Sequence, residues 1–257
     1  MRTIQEALKE HYQAVIEYGI NPNNILGVFL YGSQNYGVDL PTSDVDTKAV
    51  FIPTFEQLVL NKKMVNHEIH LENGEHCEVM DVRHIVNEFR KQNINFVEVL
   101  FTDHFIVNPQ FEDLWNDYYI SNRDRICRYD IARGVNSIIG QAKHTINQNK
   151  TNGKKIANGL RLLYFLEHLL AGAPYEDCIV PVEEVREKIK ELKSIETLES
   201  EDDANFLLQE FDAMKADFEA GEFVYIPENK NALDVILNDG ILEIVKRGLE
   251  NDSVFNR

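Results

Sequence analysis

The stretch from Ile25 to Ile52 constrains this chain more than any other. It reads I-L-G-V-F-L-Y-G-S-Q-N-Y-G-V-D-L-P-T-S-D-V-D-T-K-A-V-F-I. The apolar run from Ile25 to Tyr31, bounded by Asn24 and Gly32, has the composition of a strand buried on both faces. Gly32-Ser33 then opens a polar loop containing Gly37 and Pro41. Asp44 and Asp46 lead into a second apolar run, Ala49 to Ile52. Alternate residues of a strand share a face, so the spacing predicts Asp44 and Asp46 pointing the same way, with Lys48 next along. Two carboxylates about 6–7 Å apart on one rigid face repel each other unless a cation lies between them. A hard divalent ion that takes oxygen ligands and bridges phosphates suits that place.

Gly32-Ser33 closing one strand, with Asp44-x-Asp46 opening the next, resembles the nucleotidyltransferases of the DNA polymerase beta superfamily. The resemblance implies an NTP substrate and Mg²⁺ or Mn²⁺ held by Asp44 and Asp46. It also implies that Gly32 admits the phosphates to the backbone and that Ser33 hydrogen-bonds one of them. The alternative is a solvated pair of aspartates behind a Gly-Ser turn.

Members of that superfamily draw a third carboxylate from a strand beside the D-x-D strand. The segment from Glu68 to Asp81 reads as a hairpin with Asn73-Gly74 as a two-residue turn. Cys77, Val79 and Asp81 then share one face, and His76, Glu78 and Met80 the other. Cys77 and Val79 suit a face packed on helices, which leaves Glu78 facing a cleft. Glu78 is therefore the expected third ligand and proton acceptor, with Asp81 as the competitor if the register slips by one. Histidines 67, 70, 76, 84 and 104 lack the i, i+4 spacing of a zinc motif and read as ordinary surface and hairpin residues.

The stretch from Val82 to Phe101 reads as two amphipathic helices. It is similar to the helix–turn–helix that follows the third carboxylate in the RNA-ligase-associated branch of the superfamily. That branch commonly has proline where Ile94 stands and lysine where His84 stands. Its likeness extends to about residue 175, through a helix that begins at Lys154. There Lys155, Asn158 and Arg161 roughly share a face; in an acidic chain a Lys155–Arg161 face near a metal cleft suits a triphosphate, the alternative being a solvated helix face.

Charge is unevenly spread. The net charge is −17 and the pI about 4.9, which excludes non-specific nucleic-acid binding by the chain as a whole. Yet residues 121–161 hold 9 Lys and Arg against 2 Asp and Glu, a basic island in an acidic chain. Such asymmetry calls for an anionic ligand, or for pairing with the acidic remainder. The three cysteines, at positions 77, 127 and 178, fit no zinc or disulfide pattern, as expected of a reducing cytoplasm. No apolar run approaches the roughly 18 residues that span a membrane, so no membrane partner is expected.

Elsewhere the pattern is helical. Thr3 and Glu6 form a capping box ahead of a helix over 4–18. Further helices are expected over 55–60, 82–92 and 96–101, and after Tyr129. In the acidic tail they are expected over 182–192 and 203–220, then over 231–248 with an interruption at Asp239-Gly240. The expected fold class is α+β. A small mixed sheet with flanking helices over 1–120 would carry the catalytic site, and an all-helical domain over 121–257 would close over the cleft.

The function this implies is transfer of an NMP from an NTP to an acceptor hydroxyl, with release of pyrophosphate. The acceptor could be an RNA end, a small molecule or a protein. Two alternatives stand beside it. One is a nucleotide-binding or antitoxin-like partner protein using the same pocket without turnover. The other is a helical structural protein with an accidental D-x-D.

Overall fold

The computed structural model describes residues 2–223 and 228–250. Helix α1 (Ile4–Glu17) begins at the expected capping box, with Thr3 Oγ1 accepting from the Glu6 N–H and the Glu6 carboxylate accepting from the Thr3 N–H. Its apolar face carries Leu8 and Val15 onto the sheet. Strand β1 (Ile25–Tyr31) matches the apolar run, and β2 (Asp46–Phe51) begins at the second aspartate. After the short helix α2 (Phe55–Val59) come β3 (Asn66–His70) and β4 (His76–Asp81), and β5 (Phe105–Val107) lies later in the chain. The sheet order is β3-β4-β2-β1-β5, with β2 and β4 parallel and the other pairs antiparallel. The fold is α+β with a mixed sheet, as the sequence predicts.

Some details differ from expectation. The β3–β4 connection is a three-residue loop, not a two-residue one. The Gly74 N–H bonds to the Leu71 carbonyl, and Leu71 in turn pairs with Glu75. Gly74 takes φ +89°, the left-handed position that closes such a loop. The facing argument survives, because alternation within β4 does not depend on the turn. Cys77 and Val79 pack under α1, while Met80 belongs to the main core on the opposite side. The short edge strand β5 was not expected. Its three residues carry no alternation to read, and it forms by adding to β1.

In β1 a bulge between Ile25 and Gly27 shifts the alternation, so that Ile25 and Val28 face α1 while Leu26 and Phe29 face the main core. That core continues through α3 (Val82–Arg90), α4 (Ile94–Val97), α5 (Glu112–Tyr118) and α6 (Arg123–Ile126). It runs on into α7 (Ile131–Gln148), α8 (Gly153–Leu170), α9 (Tyr175–Ile179), α10 (Glu183–Ser194), α11 (Asp202–Ala220) and α12 (Lys230–Glu250). Fully burying an aromatic such as Phe29, Trp115 or Phe211 contributes roughly 1.5–3 kcal/mol.

Helix α12 is continuous, and the interruption expected at Asp239-Gly240 does not occur. Gly240 instead permits close packing, since a Cβ there would stand 2.7 Å from the Tyr119 hydroxyl. This contact lays α12 on α5, where Arg247 also pairs with Asp113. No helix among the described residues is long and apolar enough to cross a membrane.

Candidate active site

The loop from Gly32 to Asp44 is a folded unit. Gly32 takes φ +86°, and a Cβ there would stand 3.1 Å from Asp46 Oδ2. Glycine is therefore needed twice, for the turn and for the aspartate pressed over it. The Ser33 carbonyl accepts the Val38 N–H at 3.0 Å, and Gln34 Nε2 bonds to the Asp44 carbonyl at 2.6 Å, tying the loop's two ends together. Helix α10 holds the loop from outside, with Lys193 Nζ donating to the Val38 carbonyl at 2.8 Å. Between this loop, α8 and α10 lies a cavity of about 420 Å³, within the size range of small-molecule sites.

Gly32, Ser33, Asp44 and Asp46 all line that cavity. Only Asp46 is on a strand, since β2 begins there and Asp44 lies in the exposed segment before it. The two aspartates reach the same cavity without sharing a strand face. The Val45 N–H between them donates to Glu75 Oε1 at 3.3 Å, which fixes the backbone on that side.

Asp46 is the electrostatically unsettled group. Burial raises its carboxyl pKa, Asp44 adds to the rise, and His76, Lys154 and Lys48 pull against it. His76 Nε2 stands 3.1 Å from Asp46 Oδ1 but without hydrogen-bond geometry, and that buried oxygen has no hydrogen-bond partner. An orphaned carboxylate oxygen beside a second, exposed carboxylate and an open cavity fits a hard cation. Such an ion would complete its shell with water and phosphate oxygens.

Glu78 lies on the cleft-side face of β4, opposite Lys48 in the parallel register. It is spent on that lysine. The Lys48 ammonium is ion-paired to Glu78 and sandwiched between Tyr31 and Phe96, 3.9 Å and 4.2 Å from their ring centroids. Glu78 does not line the cavity. Asp81 is committed elsewhere: it caps α3 through the Arg83 N–H at 2.8 Å and grips the Arg83 guanidinium. Among the described residues no three His, Cys, Asp or Glu are grouped to hold a metal ion.

The opposite wall is basic. Lys154, Asn158 and Arg161 project from one face of α8, and Lys193 joins them from α10. Lys155, offered by the sequence, turns away and bonds Gln148 Oε1 at 2.8 Å. The reason is helical geometry: residues seven apart, two turns, lie almost in line, so the partner of Arg161 is Lys154. The spacing i, i+4, i+7 would have found it. For Lys193, in the acidic sequence of α10, no local signal exists. Among the described residues Lys154 makes no ion pair or hydrogen bond. Much of the remaining basic island is paired internally, Arg123 with Glu176, Arg125 with Glu228 and Lys143 with Asp212.

Asn95 of α4 and Gln141 of α7 also line the cavity, joined by a 3.5 Å hydrogen bond. No family model matches this chain, and no curated protein matches it.

Proposed function

We propose that the protein is a metal-dependent nucleotidyltransferase, similar to those of the DNA polymerase beta superfamily. The supporting observation is the cavity itself, with Asp44 and Asp46 on one wall and Lys154, Arg161 and Lys193 on the other. Opposed carboxylates and cations suit a ligand carrying both a divalent ion and several phosphates.

Asp44 and Asp46 would hold Mg²⁺ or Mn²⁺. Bound there, the ion would neutralise phosphate oxygens and lower the pKa of the attacking hydroxyl. Lys154 and Arg161 would orient the triphosphate, each charge-assisted contact contributing about 1.5–3 kcal/mol. Gly32 would give the phosphates access to backbone, with the Ser33 hydroxyl beside them. The acceptor oxygen would bond to the α-phosphorus as the bond from that phosphorus to the bridging oxygen breaks. Pyrophosphate would leave, and the hydroxyl proton would pass to water. The acceptor class remains RNA end, small molecule or protein hydroxyl.

One observation favours a second reading, nucleotide binding without turnover: Glu78 is occupied by Lys48 and so would not act as a third carboxylate. To do so it would have to leave a buried ammonium unpaired between two rings.

Incubating the protein with each labelled NTP and Mg²⁺, alone and with RNA, separates these readings. Pyrophosphate release that disappears in Asp46→Asn supports the transferase. Nucleotide binding without release supports the second reading. Absence of both removes the nucleotide from the account.

A further inference from the structure

Beneath the cavity lies a carboxylate for which the reaction above has no use. Glu98 belongs to the tight turn that continues α4, and it is 0% exposed. Neither of its oxygens makes a hydrogen bond of good geometry, although the Tyr36 hydroxyl and the Gly32 N–H approach closely enough to favour its charged form. The groups facing it come from five surrounding segments. They are Arg161 on α8, Tyr36 and the Gly32 N–H in the loop, Lys48 on β2, Tyr31 on β1 and Tyr175 on α9.

Arg161 is buried as well, 5% exposed, and its Nη1 has no partner. Its other donors reach Asn158 Oδ1 at 3.2 and 3.4 Å, and its guanidinium lies 4.2 Å from the Tyr36 ring. A buried acid and a buried base, both short of hydrogen bonds, are costly to keep in a core. Here both stand at the junction of the Gly32 turn and α8, the two elements that carry the cavity's opposite walls.

We infer that Glu98 is the positioning residue of the anion subsite. It gathers the Gly32 turn, Tyr36 and Arg161 into one cluster, and its charge sets how much of the Arg161 guanidinium is free for a nucleotide phosphate. This rests on the nucleotide reading above.

The consequence is a proton linkage. Burial pushes the Glu98 carboxyl up to about 7, against the pull of Arg161, Tyr36, Lys48 and the Gly32 N–H. Ionised Glu98 competes for Arg161 and repels phosphate, whereas neutral Glu98 leaves Arg161 to the ligand. Binding of an anion beside Arg161 therefore favours the protonated acid, and nucleotide affinity falls as pH rises through this range.

The test is calorimetric titration of the wild type and Glu98→Gln with the α,β-methylene analogue of ATP and Mg²⁺. The titrations run from about pH 6 to about pH 8.5, a window that brackets the ionisation. Wild-type affinity should fall by about tenfold more than that of Glu98→Gln, the change that one pKa unit of linkage produces. The variant should match the wild type at the acid end and bind more tightly than it at the alkaline end, which a merely structural loss would not produce. Titration of the ligand's own phosphates is common to both proteins and cancels. Equal slopes, with binding intact, overturn the role of Glu98 and leave the nucleotide reading standing. A wild type that binds no nucleotide at any pH overturns both. If Glu98→Gln does not fold, the wild type alone decides, by titration near pH 7.5 in buffers of different ionisation enthalpy. Net proton uptake is expected, and none, or release, overturns the inference.

Discussion

The two faces of strand β2 carry buried polar groups of the same kinds and treat them in opposite ways. On the α1 side, Thr47 Oγ1 meets His11 Nδ1 at 2.6 Å, and His11 Nε2 meets Glu75 Oε2 at 3.1 Å. Glu75 also accepts from Arg2, from Asn73 Nδ2 at 2.9 Å and from the Val45 N–H. Every member of that network is partnered, although His11 and Thr47 are 0% exposed. On the cleft side Lys48 is paired with Glu78, but Asp46 Oδ1, both oxygens of Glu98 and Arg161 Nη1 make no hydrogen bond of good geometry. A fold able to satisfy one side fully can satisfy the other. The difference fits the proposed function, in which one face holds the structure together and the other keeps polar atoms for a ligand.

The largest expected contrast comes from Asp46→Asn. It should lower pyrophosphate release by roughly a hundredfold or more, the scale of losing a group that stabilises transition-state charge. The apo protein should melt at or above the wild-type temperature, because a half-buried, poorly compensated charge is gone. A clear fall in melting temperature would place Asp46 among the structural residues and erase the contrast.

Next, His11→Ala should lower stability by roughly 2–4 kcal/mol, since it leaves a cavity, strands Thr47 and removes one of the buried partners of Glu75. Denaturant unfolding reads this directly. Activity per folded molecule should change far less than in Asp46→Asn, and an equal loss of activity would break the division between the faces.

Arg161→Ala and Lys154→Ala should each weaken NTP binding by roughly ten- to a hundredfold, from about 1.5–3 kcal/mol per charged contact. Lys155→Ala should leave NTP affinity unchanged. If all three instead spare NTP affinity but weaken RNA binding and flatten its salt dependence, the basic wall belongs to an RNA acceptor.

The smallest effect is on acid stability, and here the two faces should differ in sign. Burial opposes ionisation of Glu75, but hydrogen bonds from Arg2, His11 and Asn73 hold it at about 2. Its contribution, roughly 3 kcal/mol from the size of that shift, is present above the ordinary glutamate value and lost as pH falls through the folded one. Glu98 is raised, so its contribution is present below the ordinary value and lost as pH climbs through about 7. Unfolding curves of Glu75→Gln and Glu98→Gln against pH should therefore diverge from the wild type at opposite ends. Divergence at the same end would contradict the assignment.

Much of this was legible in the chain because it is local. The capping box at Thr3, the apolar run of β1 and the alternation that turns Cys77 and Val79 from Glu78 all follow from neighbours in sequence. The Gly32–Ser33 and Asp44–Asp46 pairs meet because their loop is short. What escaped depends on contacts between distant segments. Lys48 claims Glu78 only because β2 and β4 run parallel in one register. Lys193 arrives on a helix with no motif, and Gly240 reads as a break until Tyr119 is seen against it. Lys155 shares a face with Arg161 only when residues are counted in threes; the helix turns in 3.6, and it is Lys154 that lines the cavity.

Ligand-induced thermal stabilisation shows whether the cleft face is left unsatisfied for a metal-bound nucleotide. The melting temperatures of wild type and Asp46→Asn are compared with and without saturating Mg²⁺ and the α,β-methylene analogue of ATP. The ligand should raise the wild-type melting temperature and leave Asp46→Asn nearly where it was. An equal rise in both proteins, or none in the wild type, would contradict that reading of the cleft.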